Sequence, residues 1–180
     1  MWLPGLAPPE PRSDDHDGAG DEWYTPPEVV RAVASLRGGI DLDPCSAPGS
    51  LVGARHRIDV RDGGDGLRDP WPGDGLAFCN PPYSDVSPWL ERCRAAAITR
   101  PVVMLIPMRP ETRAWWGHVW SCGGVAVVHR GRLRFVGQTG ERHGSGMLTT
   151  CFVLWDADLA GELRDALRDE GFDAVAVGAL

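Results

Sequence analysis

Apolar and polar positions along the chain fall into blocks that switch between a helical and a strand period. The first block follows Thr25-Pro26-Pro27-Glu28 and puts Val29, Val33 and Leu36 on one helical face before Gly38-Gly39. Thr25 reads there as the N-cap, Pro26 as the first helical residue and Glu28 as the closing member of a capping box. Apolar runs of strand length recur at residues 40–45, 56–60, 76–79, 101–107 and 124–128, with a longer one at 147–155 and an edge-strand candidate at 172–177. Between them, residues 87–98 have Trp89, Leu90, Cys93 and Ala97 at helical spacing, and a further helix carries Trp115, Trp116 and Trp120, which read as core. The last helix is capped by Asp156 or Asp158, repeats Leu159, Leu163 and Leu167, and stops at Gly171. Strands alternating with helices indicate an α/β fold, and the nearly unbroken apolar run 101–107 indicates a strand covered on both faces.

Charge divides the chain into three. The net charge of -7 conceals acidic ends: residues 1–22 and 156–180 each carry -5, and the body 23–155 carries +3. Residues 1–22 are rich in Pro, Gly and Asp without periodicity and read as a disordered acidic tail, leaving residues 23–180 as one domain. A mildly basic body is compatible with DNA. The mean hydropathy is -0.21, and no apolar run approaches the ~20 residues of a membrane span. Met1-Trp2-Leu3-Pro4 lacks a signal-peptide pattern, and the five dispersed cysteines read as reduced thiols, so a cytoplasmic protein is expected. No carboxylate cluster has metal-ligand spacing, so no metal is expected and a nuclease is disfavoured.

Against that background Asn80-Pro81-Pro82-Tyr83 stands out. Asn80 is the only asparagine, and Tyr83 one of two tyrosines. The tetrapeptide follows the apolar run 76–79 and opens a polar loop. An amino group on an aromatic ring is a poor nucleophile, because its lone pair is delocalised, and it must pyramidalise before it attacks an electrophilic methyl group. Two acceptors aimed at its hydrogens favour that geometry: the Asn80 side-chain oxygen and the Pro81 carbonyl. The prolines have no N–H to compete and restrict the residues before them to extended geometry. Tyr83 offers a face for a planar base. The plainer reading is a stiff turn after a strand; the chemical one is a site that methylates an amino nitrogen.

Other residues fit around it. Asp43, at the end of run 40–45, either holds the ammonium of a methionine moiety at the carboxyl edge of a sheet or caps a turn. Asp65, in Gly64-Asp65-Gly66-Leu67, is placed at the end of a third strand as an acceptor for an adenosyl amino group, with Asp59 and Asp62 as weaker partners for ribose hydroxyls. Plain turn chemistry explains all three as well. Arg130, Arg132 and Arg134 alternate with Gly131 and Leu133, and a strand would put them on one face, either solvated or contacting phosphates. Phe135 would point the other way, as core or as a second aromatic against an extruded base. Residues 138–146 form a Gly-rich polar loop. The absence of G-x-G-x-x-G disfavours a nicotinamide cofactor.

In order, Thr25-Pro26-Pro27-Glu28, Asp43-Pro44-Cys45, Asp65-Gly66-Leu67 and Asn80-Pro81-Pro82-Tyr83 resemble the motifs of S-adenosylmethionine-dependent DNA adenine (N-6) methyltransferases. The lead-in Asp21-Glu22-Trp23 and segments 107–116 and 131–135 resemble the phage-type, Dam-like family, and the resemblance covers roughly residues 21–155. It implies a Rossmann-like class I methyltransferase fold, a mostly parallel seven-stranded sheet with helices on both faces. It also implies methyl transfer from S-adenosylmethionine to a flipped-out adenine in DNA, held by Asn80, Pro81 and Tyr83 in a loop stiffened by Pro82. The cofactor would lie among Trp23, Thr25, Pro26, Asp43, Pro44, Cys45, Ser46, Asp65, Gly66 and Leu67. Arg109, Arg130, Arg132, Arg134 and Phe135 would face DNA. The chain lacks the family class's F-x-G-x-G loop. The same tetrapeptide also serves amino groups in RNA and protein glutamines, and a catalytically silent DNA-binding or anti-restriction module is the rival of another class.

Overall fold

The computed structural model describes residues 24–137 and 148–178; the acidic tail, Trp23 and the Gly-rich loop lie outside them. The elements are α1 (Pro27–Ala34), β1 (Ile40–Ser46), β2 (His56–Asp59), β3 (Leu76–Cys79), α2 (Ser87–Ala96), β4 (Val102–Pro107), α3 (Arg113–His118), β5 (Val125–His129), β6 (Thr150–Leu154), α4 (Ala157–Asp169) and β7 (Ala174–Gly178). The seven strands form one sheet in the order β2-β1-β3-β4-β6-β5-β7.

The sheet is mixed, which corrects the expectation of a mostly parallel one. β2, β1, β3 and β4 pair in parallel, but β4–β6, β5–β6 and β5–β7 are antiparallel. The reason lies in the connections. α2 supplies the crossover between the parallel strands β3 and β4, and β1 and β2 pair in parallel through the helix-free connection 47–55, whereas β5 and β6 follow each other without an intervening described helix and pair as a hairpin does. The expected edge strand is β7, at one border of the sheet, with Val175 and Val177 exposed.

Helices cover both faces. Val29 and Val33 of α1 and Leu159, Leu163 and Leu167 of α4 share one core with Phe78, Val103, Leu105 and Phe152. Trp89, Leu90 and Cys93 of α2 and Trp115 of α3 share the other with Cys79, Met104, Ile106 and Val153. The alternation of strand residues between the two cores is the period-two rule at work. Each fully buried leucine of α4 contributes roughly 1.5–3 kcal/mol. Asp156 caps this helix, accepting from the Leu159 N–H at 3.0 Å. Of the three tryptophans read as core, Trp115 is buried, Trp120 is partly so and Trp116 is exposed on the outer side of α3.

Three local expectations change. Thr25 does not cap α1: the N-cap is Pro26, in extended geometry (φ -55°, ψ 140°) and without a side-chain cap bond. A residue before proline is driven out of the helical region, so Pro27 holds Pro26 extended, and the helix starts one residue later than the capping box requires. Residues 130–135 are not a strand, because Gly131 adopts φ 86° and the ladders of β5 end at His129. Asp65 is not at a strand end; it sits in the connection before β3, which begins at Leu76.

Candidate active site

The carboxyl ends of β1, β3, β4 and β5 lie on one border of the sheet, where open α/β sheets bind ligands. Asn80 leaves β3 there. Its Nδ2 donates to the Thr25 hydroxyl at 3.1 Å, and its Oδ1 is buried without a hydrogen-bond partner among the described residues. An orphaned buried acceptor costs roughly 1–3 kcal/mol; Arg92 Nε, Arg94 Nε, Trp115 Nε1 and His118 Nδ1 are likewise enclosed without a hydrogen-bond partner among the described residues. Pro81 is buried and Pro82 exposed.

Tyr83 is half-buried, and its hydroxyl is also enclosed without a partner among the described residues. Burial pushes the phenol's pKa well above its usual range, so it stays neutral. Its ring meets Phe135 edge-to-face, with centroids 6.0 Å apart and planes at 79°. Phe135 packs on the core and stands beside the Asn80 loop through this contact with Tyr83.

Asp43 is the second unusual group. It is 4% exposed, and burial pushes its carboxyl up to about 6, against hydrogen bonds from the Cys45 N–H, Ser46 and Ser50 and the charge of Arg57. The Cys45 N–H lies 3.2 Å from Oδ1. Buried, and held by dipoles rather than by a contacting cation, it fits an ammonium ligand.

Cysteines weld Asp43-Pro44-Cys45 to the tetrapeptide. Cys45 Sγ lies 3.3 Å from Cys79 Sγ, and the Asn80 backbone N–H is directed at the Cys45 sulfur. Burial pushes both thiols upward, so they stay protonated. Asp65-Gly66-Leu67 docks on the same motif. A Cβ on Gly66 would lie 1.9 Å from the Pro44 carbonyl oxygen, so the close approach requires glycine. Trp71 Nε1 donates to the Gly66 carbonyl at 2.7 Å. Asp65 itself accepts from the Leu67 N–H at 2.9 Å and faces Arg68 at 3.5 Å. Its carboxylate thus shapes the turn, as does Asp59, which accepts from the Arg61 N–H; Asp62 is exposed.

The remaining candidates lie along the same border. Ser46 is buried beside Asp43. Arg109 is exposed just past β4, and Arg130, Arg132 and Arg134 are exposed just past β5, so the arginines face solvent together although no strand aligns them. Pro26, next to Thr25, is buried and is the N-cap of α1.

Sequence reasoning missed the lead-in to α1 as a tie between loops. Tyr24 exchanges backbone hydrogen bonds of 2.9 and 3.0 Å with Val136, and its hydroxyl donates to the Pro48 carbonyl. A Cβ on Gly49 (φ 81°) would come within 2.9 Å of that hydroxyl. The one available signal was Gly49 itself, in the tight loop after β1.

Among the described residues no cluster of His, Cys, Asp and Glu could hold a metal ion, and no helix is long and apolar enough to cross a membrane. No curated protein and no solved structure matches the chain significantly. The family model described as DNA N-6-adenine-methyltransferase (Dam) matches residues 12–166, beginning inside the acidic tail. On that match, which spans most of the chain, the protein belongs to the Dam family of DNA N-6-adenine-methyltransferases.

Proposed function

We propose that the chain transfers a methyl group from S-adenosylmethionine to the exocyclic nitrogen of an adenine flipped out of DNA into the Asn80-Pro81-Pro82-Tyr83 loop. The observation that carries this reading is the buried Asn80 Oδ1, which has no partner among the described residues. A target amino hydrogen supplies the partner that it lacks. Asn80 Oδ1 and the Pro81 carbonyl accept the two hydrogens and favour the pyramidal nitrogen, where a lone pair can attack. Tyr83 and Phe135 provide the aromatic wall against which the base rests, worth about 1–3 kcal/mol per stacked base. Extruding the base costs a few kcal/mol, which these contacts offset.

S-adenosylmethionine, when bound, supplies the electrophilic methyl group. On the protein side, Asp43 would hold its ammonium, and Pro44, Cys45, Ser46 and the Asp65-Gly66-Leu67 turn would line the space beside it. Trp23 lies outside the described residues. The protonated Cys45 and Cys79 are poor nucleophiles and do not compete for the methyl group. No strong general base is needed, because the nitrogen's proton becomes acidic once it is alkylated. Orientation supplies much of the rate. Arg109, Arg130, Arg132 and Arg134 would hold phosphates without reading sequence.

The test offers tritiated S-adenosylmethionine with DNA, RNA and protein side by side, followed by modification-detecting sequencing of DNA from expressing cells. Label in DNA at adenine N6 is the expected result. Label confined to RNA or protein glutamine, or no transfer and no thermal shift with the cofactor, overturns it.

A further inference from the structure

An asparagine amide is two-faced: its oxygen only accepts and its nitrogen only donates. For the reaction proposed above, the two orientations of Asn80 are opposites. With Oδ1 toward the target, the amino group finds an acceptor; with Nδ2 there, donor meets donor. We propose that Thr25 is the positioning residue that anchors the Asn80 amide in the first of these orientations; a hydroxyl can serve either end of an amide, so its role is to hold the far end in place. Its hydroxyl oxygen receives the Asn80 Nδ2–H at 3.1 Å and so leaves Oδ1 as the buried acceptor. The proposal rests on the reading of Asn80 as the amino-group acceptor, and it replaces the cofactor contact expected of Thr25 from the sequence.

Thr25 is built for this. It is 4% exposed, and its β-branch restricts χ1. On one side it is fixed by Tyr24, which is bonded to Val136 and to the Pro48 carbonyl. On the other, the Pro26-Pro27 pair holds Pro26 extended and moves the N-cap off Thr25, which frees the hydroxyl for Asn80. The helix forgoes a side-chain cap, and the site gains an oriented amide. The same strap sets the surroundings, because Val136 follows Phe135, which faces Tyr83.

The test compares Thr25→Val, which keeps the shape and deletes the hydroxyl, with Thr25→Ser, which keeps the hydroxyl, and with Thr25→Ala as a second deletion. The two deletions should lower kcat about a hundredfold while the dissociation constant for S-adenosylmethionine stays within about twofold; the serine variant should recover most of the loss. A second readout needs no activity. Asn80 is the only asparagine in the chain, so selective nitrogen labelling of asparagine gives a single side-chain amide pair in the NMR spectrum. That pair should move in both deletions and stay near its wild-type position in Thr25→Ser. Unchanged kcat in the deletions, a loss seen only as weaker cofactor binding, or an unmoved amide signal overturns the proposal. The two readings fail separately. A methylating wild type with an unmoved amide signal sinks the Thr25 assignment alone, whereas a moved signal in a chain that methylates nothing sinks the function and with it this catalytic role.

Discussion

Two aspartates two residues apart on β1 have opposite fates. Asp41, near the amino end, is buried and answered in full. Its Oδ2 lies 3.1 Å from Arg100 Nη2 and 3.0 Å from the Gly75 N–H. Arg100 is itself saturated by the carbonyls of Pro72, Gly73 and Gly75. Asp43, farther along the strand, is equally buried, but its hydrogen bonds among the described residues come from neutral donors with only the charge of Arg57 to help, and burial raises its carboxyl to about 6. Asn80 Oδ1 and the Tyr83 hydroxyl, on the same border, have no partners among the described residues. The difference separates a group that the fold itself answers from groups to which the proposed function gives a partner. Around Asp41 the polar groups are paired with one another; Asn80 Oδ1 and the Tyr83 hydroxyl are left without a partner among the described residues, as are Arg92 Nε, Arg94 Nε, Trp115 Nε1 and His118 Nδ1 elsewhere.

Breaking the amino-end pair should have the largest effect. Arg100→Ala leaves Asp41 buried and uncompensated, so stability should fall by about 3–5 kcal/mol in urea unfolding, with turnover per folded molecule retained at low temperature. Asn80→Ala should do the reverse: stability within about 0.5 kcal/mol of wild type and turnover lower by about 10²–10³-fold, with cofactor binding intact. Wild-type-like methylation by that variant would defeat the role given to Asn80.

Asp43 sharpens the contrast through pH. Its folded value of about 6 exceeds the unfolded one, so the native state binds the extra proton. Stability from this group is therefore fully present below about pH 4 and declines as pH rises through 6, by about 3 kcal/mol in all. Asp43→Asn should remove that slope, seen as a wild-type-minus-variant difference across pH 4 to 8 of about that size. Cofactor affinity should weaken about tenfold per pH unit below 6 in the wild type, as the carboxylate needed for the ammonium is protonated, and should be flat in the variant. The smallest effect is expected at the aromatic wall: Tyr83→Ala should raise KM for DNA about 10–100-fold, matching one lost stacking contact, while Tyr83→Phe should change it little if the ring alone contributes.

Much of this was legible in one dimension. The strand runs, the Leu159-Leu163-Leu167 helix and its Asp156 cap follow from periodicity and local capping, which depend on neighbours a few residues away. The tetrapeptide was legible because its chemistry is carried by adjacent residues. Pairing direction in the second half of the sheet was not, since it depends on which strands meet and on whether a helix crosses between them. Nor were the strand that failed at Gly131 and the helix start displaced from Thr25 foreseen, although each has a local cause in glycine or proline geometry.

The sequence by itself determined the α/β class, the residue types of the site and the stiffness of its loop, because these are properties of short segments. Only the tertiary structure decided that Thr25 meets Asn80 across 55 positions, that Cys45 lies against Cys79, that Gly66 seats under Pro44 and that Phe135 faces Tyr83. Such contacts join segments distant in the chain, and no local preference encodes them; they exist because burying two apolar faces of one sheet leaves few ways to bring those loops to the same border.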